Sequence, residues 1–256
     1  MTGGPAADAP RIRLERSPDG GRADLVLEIP PVNVLDVAAL RELADAVERA
    51  APARLIVLRG LPRAFSAGVS VPEHVPEPGR IDAMLAAMRR VLEALCATPA
   101  VTIASVSGAC LGGGAEIVAA CDLVLVGEDA RVGFPEIRLA CFPPGAAALL
   151  PLRIGEARAA EWILTGRTLS GREAADAGFA ARAVAPERLG AETERLADRI
   201  LSASPAALVA ALTVIRRGRR AALAGTLPAA EAAYRTLAGS GDLERAVREF
   251  EASRRR

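Results

Sequence analysis

Residues 107–136 read SGACLGGGAEIVAACDLVLVGEDARVGFPE, and the reading of this stretch decides the fold. At its centre Gly112, Gly113 and Gly114 open straight into a helix-like run, Ala115 to Ala120, which carries Glu116 in its first turn. The first NH groups of such a helix have no intrahelical acceptor and sit at the positive end of its dipole. Glycine allows another backbone or a ligand to approach them closely. Glu116 lies about one helical turn beyond Gly113, so an acid/base group would stand beside an NH suited to a developing oxyanion. A second carboxylate, Glu136, closes the element Gly133-Phe134-Pro135-Glu136.

Working outward, an alternation of strands and helices surrounds this stretch. Upstream, Arg11 to Glu15 and Leu25 to Ile29 read as strands about a Ser17 to Gly21 turn, and Pro30-Pro31 ends the second. Residues 1–10, rich in Ala, Gly and Pro, read as loose. Asp36 is a candidate cap for a helix through Leu40, Leu43 and Val47, followed by a buried strand at Leu55 to Leu58. A proline-rich loop, Leu61 to Gly79, contains Phe65-Ser66-Ala67-Gly68-Val69-Ser70; helix Ile81 to Leu95 and strand Val101 to Val106 then lead into the glycine turn. Downstream come short strands at Leu123 to Val126 and Arg131 to Gly133. Beyond Pro143 the spacing predicts helices over 145–150, 156–164, 171–176, 189–202, 205–217, 228–238 and 243–252, with one strand near 181–184. The class is α/β with a helical C-terminal part, and no sequence repeat is visible.

Composition excludes several functions. The chain has 256 residues with 51% hydrophobic content, enough for a sizeable core. A formal net charge of +1 argues against a surface built for nucleic acid. Arginine clusters at Arg216 to Arg220 and Arg254 to Arg256 read as solvated helix faces. Every basic residue other than His74 is arginine, which rules out a Walker A loop and a Schiff-base lysine. Cys96, Cys110, Cys121 and Cys141 form no C-x-x-C pair and no leader-like segment precedes residue 25, so a reducing cytoplasm is expected. The uncharged stretch Pro99 to Ala115 is broken by glycines and is short for a membrane span. No G-x-G-x-x-G or G-x-S-x-G occurs, and one histidine with scattered cysteines does not make a zinc site.

Taken singly, the pieces have plain structural readings. Gly112 to Gly114 would serve as a tight packing turn, Glu116 as a carboxylate interacting with the helix dipole, and Glu136 as a surface residue after proline. His74 reads as a loop or packing residue, with lining of the acyl pocket as the alternative, and Trp162 and Tyr234 as core or subunit-contact aromatics. Cys141 and Phe142 are divided between packing and substrate contact.

Together the motifs say more. Phe65-Ser66-Ala67-Gly68, the run Gly108 to Glu116, Cys121-Asp122, Gly133-Phe134-Pro135-Glu136 and Leu164-Thr165-Gly166 stand in an order that resembles the crotonase (enoyl-CoA hydratase/isomerase) superfamily over roughly residues 10–250. The resemblance implies a spiral of ββα units over 1–200, a helical trimerisation region over 201–256, and a homotrimer or dimer of trimers. It implies an enzyme acting on acyl-CoA thioesters, with coenzyme A as part of the substrate, no separate cofactor and no metal. Carried over, the NH groups of Val69 and Gly113 form an oxyanion hole, Glu116 and Glu136 are the paired carboxylates of a hydratase, and Ala67, Gly68 and Gly112 line the substrate. Arg63 is the candidate for the CoA phosphates, ahead of Arg216 or Arg217. Isomerisation or ring-cleaving hydrolysis remains open on the same fold, as does a non-catalytic RNA-binding scaffold using the arginine clusters.

A finer resemblance lies in Gly68-Val69-Ser70-Val71-Pro72-Glu73-His74-Val75-Pro76, Pro135-Glu136-Ile137-Arg138-Leu139 and Leu149-Leu150-Pro151-Leu152-Arg153-Ile154-Gly155. These are similar to cyclohexa-1,5-diene-1-carbonyl-CoA hydratases. Two departures from the wider family accompany them: Ser70 stands where an acid commonly follows the first oxyanion residue, and Cys141 to Ala146 replaces a glycine-rich loop. Both argue against simple straight-chain crotonyl substrates.

Overall fold

A computed structural model of the chain describes residues 11–75, 77 and 79–253. The expectations for residues 1–10, Pro76 and Arg254 to Arg256 lie outside the described residues.

The chain opens with the hairpin β1 (Ile12–Arg16) and β2 (Arg22–Leu27), paired antiparallel. After β3 (Val34–Leu35), Asp36 caps α1 (Val37–Ala50): its carboxylate accepts from the Ala39 NH at 2.8 Å and pairs with Arg11. Three rounds then follow one plan. A strand of the large sheet leads to a short strand of a small sheet and then to a helix. The first round is β4 (Leu55–Arg59), β5 (Ala64–Ser66), β6 (Gly68–Val69) and α2 (Arg80–Ala97), with a 3-10 turn over Val71–His74 between the last two. The second is β7 (Val101–Val106), β8 (Ala109–Leu111) and α3 (Gly113–Ala120). The third is β9 (Leu123–Gly127), β10 (Arg131–Gly133), a 3-10 turn over Pro135–Leu139 and α4 (Pro144–Ile154). Then come α5 (Glu156–Thr165), β11 (Thr168–Ser170), α6 (Gly171–Asp176), β12 (Arg182–Val184), α7 (Leu189–Leu201), α8 (Pro205–Ile215), α9 (Arg217–Ala238) and α10 (Asp242–Ser253).

The large sheet has the order β1-β2-β4-β7-β9-β12 and is parallel beyond β2; the small sheets are β11-β10-β8-β5 and β3-β6. The repeat is therefore one of register, which explains why the sequence shows none. Along β4, Ile56 and Leu58 face the main core with α1 and α2, while Leu55 and Val57 face a second core under Leu189, Ala197 and Leu212. Burial on both faces requires the unbroken apolar run seen at 55–58. Among the described residues no single helix is long and apolar enough to cross a membrane.

Two expectations are corrected. Helix α9 begins at Arg217, not Pro228, and runs through that proline. Leu223 and Leu227 pack into the main core on the same helix, and that burial outweighs the lost backbone hydrogen bond. The stretch Arg216 to Arg220 is also no uniformly solvated face. Arg216 is 0% exposed; it bonds Asp122 Oδ1 (2.8 Å), the Ala100 carbonyl (2.7 Å) and the Thr98 carbonyl. Arg219 bonds the carbonyls of Ala120 and Cys121, and Arg220 that of Cys96. The last carbonyls of α2 and α3 lack helical partners, and these guanidinium groups supply them. Arg216 and Arg219 are thus engaged inside the protein, on Asp122 and on main-chain carbonyls.

Candidate active site

The glycine turn does what its position suggested. Gly113 is the first residue of α3, so its NH has no intrahelical acceptor. Gly112 has φ 51° and ψ −128°, and a Cβ there would stand 2.8 Å from Glu136 Oε1. Only glycine meets both demands. Opposite lies β6. The Ser70 NH is spent on the Leu35 carbonyl (2.8 Å), and NH directions alternate along a strand, so the Val69 NH points away from β3. A Cβ on Gly113 would be 3.6 Å from the Val69 nitrogen and 2.6 Å from Val69 Cγ2, so the two backbones stand side by side.

β6 is held in place from behind. Asn33 donates to the carbonyls of Ala64 (3.1 Å) and Phe65 (3.0 Å), while the Ser66 hydroxyl donates to the Asn33 carbonyl (2.7 Å) and accepts from the Gly68 NH (3.0 Å). Asn33 was not singled out in the sequence; its signal is its place directly after the Pro30-Pro31 break.

Two carboxylates meet in the same hollow. Glu116 in α3 is 4% exposed, and its Oε1 accepts from the Ala146 NH at 2.9 Å. A Cβ on Gly145 would come within 2.9 Å of that oxygen, so the 143–146 loop wraps the carboxylate closely. The departure at Cys141 to Ala146 is thus the element that tethers Glu116. Glu136, in the 3-10 turn after β10, is 9% exposed, and its Oε2 is buried with no hydrogen-bond partner. Burial pushes both carboxyl groups well above the ordinary carboxylate range. The Ala146 and Gly145 NH groups pull Glu116 partly back, whereas the charge of Glu116 raises Glu136 further. The two titrate as one unit.

These groups line a cavity of about 270 Å³. Ala67, Gly68, Val69, Gly112, Gly113, Glu116 and Glu136 all border it, so seven of the residues expected at the site are brought together. Arg63 is exposed and does not border it. Its carbonyl packs where Gly108 leaves no room for a side chain.

Further lining residues lie outside the expected set of site residues. Tyr234 of α9 and His74 face the cavity and are joined, Tyr234 Oη to His74 Nδ1, at 2.6 Å. Glu231, also from α9, borders the cavity but is bound by Arg89, with Arg89 Nε to Glu231 Oε1 at 2.9 Å. This third carboxylate is therefore neutralised where Glu136 is not. Their common signal, the i, i+3 spacing of Glu231 and Tyr234 on one helix face, had no visible partner across the chain. Trp162, by contrast, is a core aromatic, packed edge-on against Phe134 and Phe179.

A family model described as Enoyl-CoA hydratase/isomerase matches residues 21–255. A cyclohexa-1,5-dienecarbonyl-CoA hydratase of Thauera aromatica is 36% identical over 166 residues, 64% of this chain and 63% of that one, so the match spans less than two thirds of that relative. A probable enoyl-CoA hydratase of Rhizobium meliloti is 33% identical over 92% of this chain and 93% of its own. The crystal structure of an enoyl-CoA hydratase from Mycobacterium avium subsp. paratuberculosis superposes with a TM-score of 0.85 at 25% identity, covering 95% of this chain and 96% of that one.

Proposed function

The chain belongs to the enoyl-CoA hydratase/isomerase family, within the crotonase superfamily, and from that premise we propose that it adds water across an α,β-unsaturated acyl-CoA thioester through Glu116 and Glu136. The family consists of enzymes that hydrate or isomerise acyl-CoA substrates. The observation that carries hydration is the second carboxylate: Glu136 Oε2 is buried and unpartnered, beside a Glu116 that is tethered by Ala146.

The thioester oxygen lies between the NH groups of Val69 and Gly113, which draw electron density from the double bond. A water held by both carboxylates attacks the electrophilic carbon. The π electrons pass to the thioester oxygen as an enolate, and the α-carbon (or the far end of a conjugated system) takes up a proton. Glu116, oriented by Ala146, accepts the proton of the water; Glu136, whose Oε2 is buried and unpartnered, is the donor to carbon. The likeness to the Thauera relative, together with Ser70 and the 141–146 loop, supports an alicyclic dienoyl thioester as the acyl group. A homotrimer or dimer of trimers, with 201–256 as the trimerisation region, belongs to the same reading, as does a cytoplasmic setting.

The test is incubation with a panel of straight-chain enoyl-CoA and cyclic dienoyl-CoA esters, read by mass for added water and by NMR for the position of the double bond. Gain of one water supports hydration. A shifted double bond at unchanged mass would replace it with isomerisation.

A further inference from the structure

One wall of the cavity is unexplained by the carboxylates and the oxyanion NH groups. Tyr234 forms it from α9 and is 1% exposed. Its hydroxyl is fixed by His74 at 2.6 Å, and its ring meets Phe142 with centroids 5.8 Å apart. It packs in one apolar cluster with Ile81, Cys141 and Ala238 and with Leu243 and Val247 of α10, while Met84 and Leu85 of the same cluster border the cavity beside it. A side chain held at its tip and packed from behind does not swing aside without breaking a buried hydrogen bond and opening a void. Tyr234 is a wall and not a door. Burial also holds His74 down to about 4, so the couple is neutral near pH 7 and sets no charge against an apolar acyl group. The cavity, about 270 Å³, lies just below the range of roughly 300–1,000 Å³ usual for pockets that bury drug-sized ligands.

We propose that Tyr234, held by His74, determines acyl specificity: it stops the cavity so that compact unsaturated groups, short or cyclic, are accepted and long straight chains are turned away. This rests on the reading of the cavity as an acyl-CoA site. Removing the ring would enlarge the cavity toward Ile81, Ala238 and Leu243 of the same apolar cluster, giving room for a longer chain.

The experiment compares wild type, Tyr234→Leu and His74→Ala. For each, binding of butyryl-CoA and dodecanoyl-CoA and turnover of crotonyl-CoA and dodecenoyl-CoA are measured. Wild type is expected to favour the short thioester at least about tenfold in each comparison, and Tyr234→Leu to narrow that preference about tenfold. His74→Ala, which frees the ring but leaves it present, narrows it less, by about threefold. If Tyr234→Leu does not fold, the His74→Ala result decides. A wild type that prefers the long chain, or a folded variant with unchanged preference, overturns the proposal. Wild type that binds these thioesters but adds water neither to them nor to a cyclic dienoyl-CoA defeats the hydratase reading alone, because the binding preference still reports on the wall. If wild type binds none of them, both fall.

Discussion

Helix α3 carries Glu116 inside it and Asp122 just past its end, two buried acids six residues apart with opposite fates. Burial pushes Asp122 up, but hydrogen bonds and charge from Arg216 and Arg219 more than reverse this, and its carboxyl ends below the ordinary range. Burial pushes Glu116 up, and only the Ala146 and Gly145 NH groups answer; Glu136 is raised by burial and by the charge of Glu116. A buried acid with two guanidinium partners holds a fold together. A buried acid facing another acid is destabilising, and such an arrangement persists where chemistry uses it. The difference separates a structural clamp from a reactive pair on one short helix.

The largest effect expected from breaking this contrast is on turnover. Glu116→Gln and Glu136→Gln each reduce hydration at least about a hundredfold, because each removes an acid/base group used in the transition state. Affinity for a saturated acyl-CoA stays nearly constant. Steady-state kinetics alongside a binding isotherm check this, and unchanged turnover in both variants would remove the pair from the mechanism.

Next in size is the clamp. Arg216→Ala leaves Asp122 buried with half its partners gone, and is expected to cost about 3–5 kcal/mol of stability. Urea unfolding measures it. Arg216→Met with Asp122→Leu, which removes both charges, should recover a large part, and no recovery would mean that the carbonyl contacts to Thr98 and Ala100 matter more than the ion pair.

The smallest effect is on stability against pH. A carboxyl raised in the folded state above its ordinary value of 4.5 binds protons more tightly there than in the unfolded chain. The stability it contributes is complete below 4.5 and is lost as pH rises through the folded value. Glu136→Gln should therefore match wild type in mildly acidic solution and exceed it in alkaline solution by at least about 1 kcal/mol. Melting curves across that range test it; a variant less stable than wild type at alkaline pH would show that Glu136 has a partner in the fold.

Much of this contrast was legible in the sequence, and the missing part has a physical reason. The strands at 55–58 and 123–126 are unbroken apolar runs, and that at 101–106 is uncharged and buried throughout, so their pattern is readable. β3, β5, β6, β8 and β11 are two or three residues each, too short for any period to show. The convergence of Val69, Gly113, Glu116 and Glu136 was readable only through family resemblance, because nothing local to Pro135-Glu136 says that it faces Gly112. Arg216 misled for the opposite reason. A run of arginines reads as solvated unless the carbonyls it will meet, on α2 and α3, are already placed. Tyr234 and His74 lie 160 positions apart and carry no shared motif, so only the packing of α9 against α2 brings them together.

The coupling of Glu116 and Glu136 is the claim on which the rest depends, and carboxyl titration of isotope-labelled glutamate by NMR tests it most directly. Two signals, assigned by their loss in Glu116→Gln and Glu136→Gln, should titrate above the ordinary carboxylate range, and the titration midpoint of Glu136 should fall when Glu116 is replaced. Two ordinary, independent titrations would contradict it.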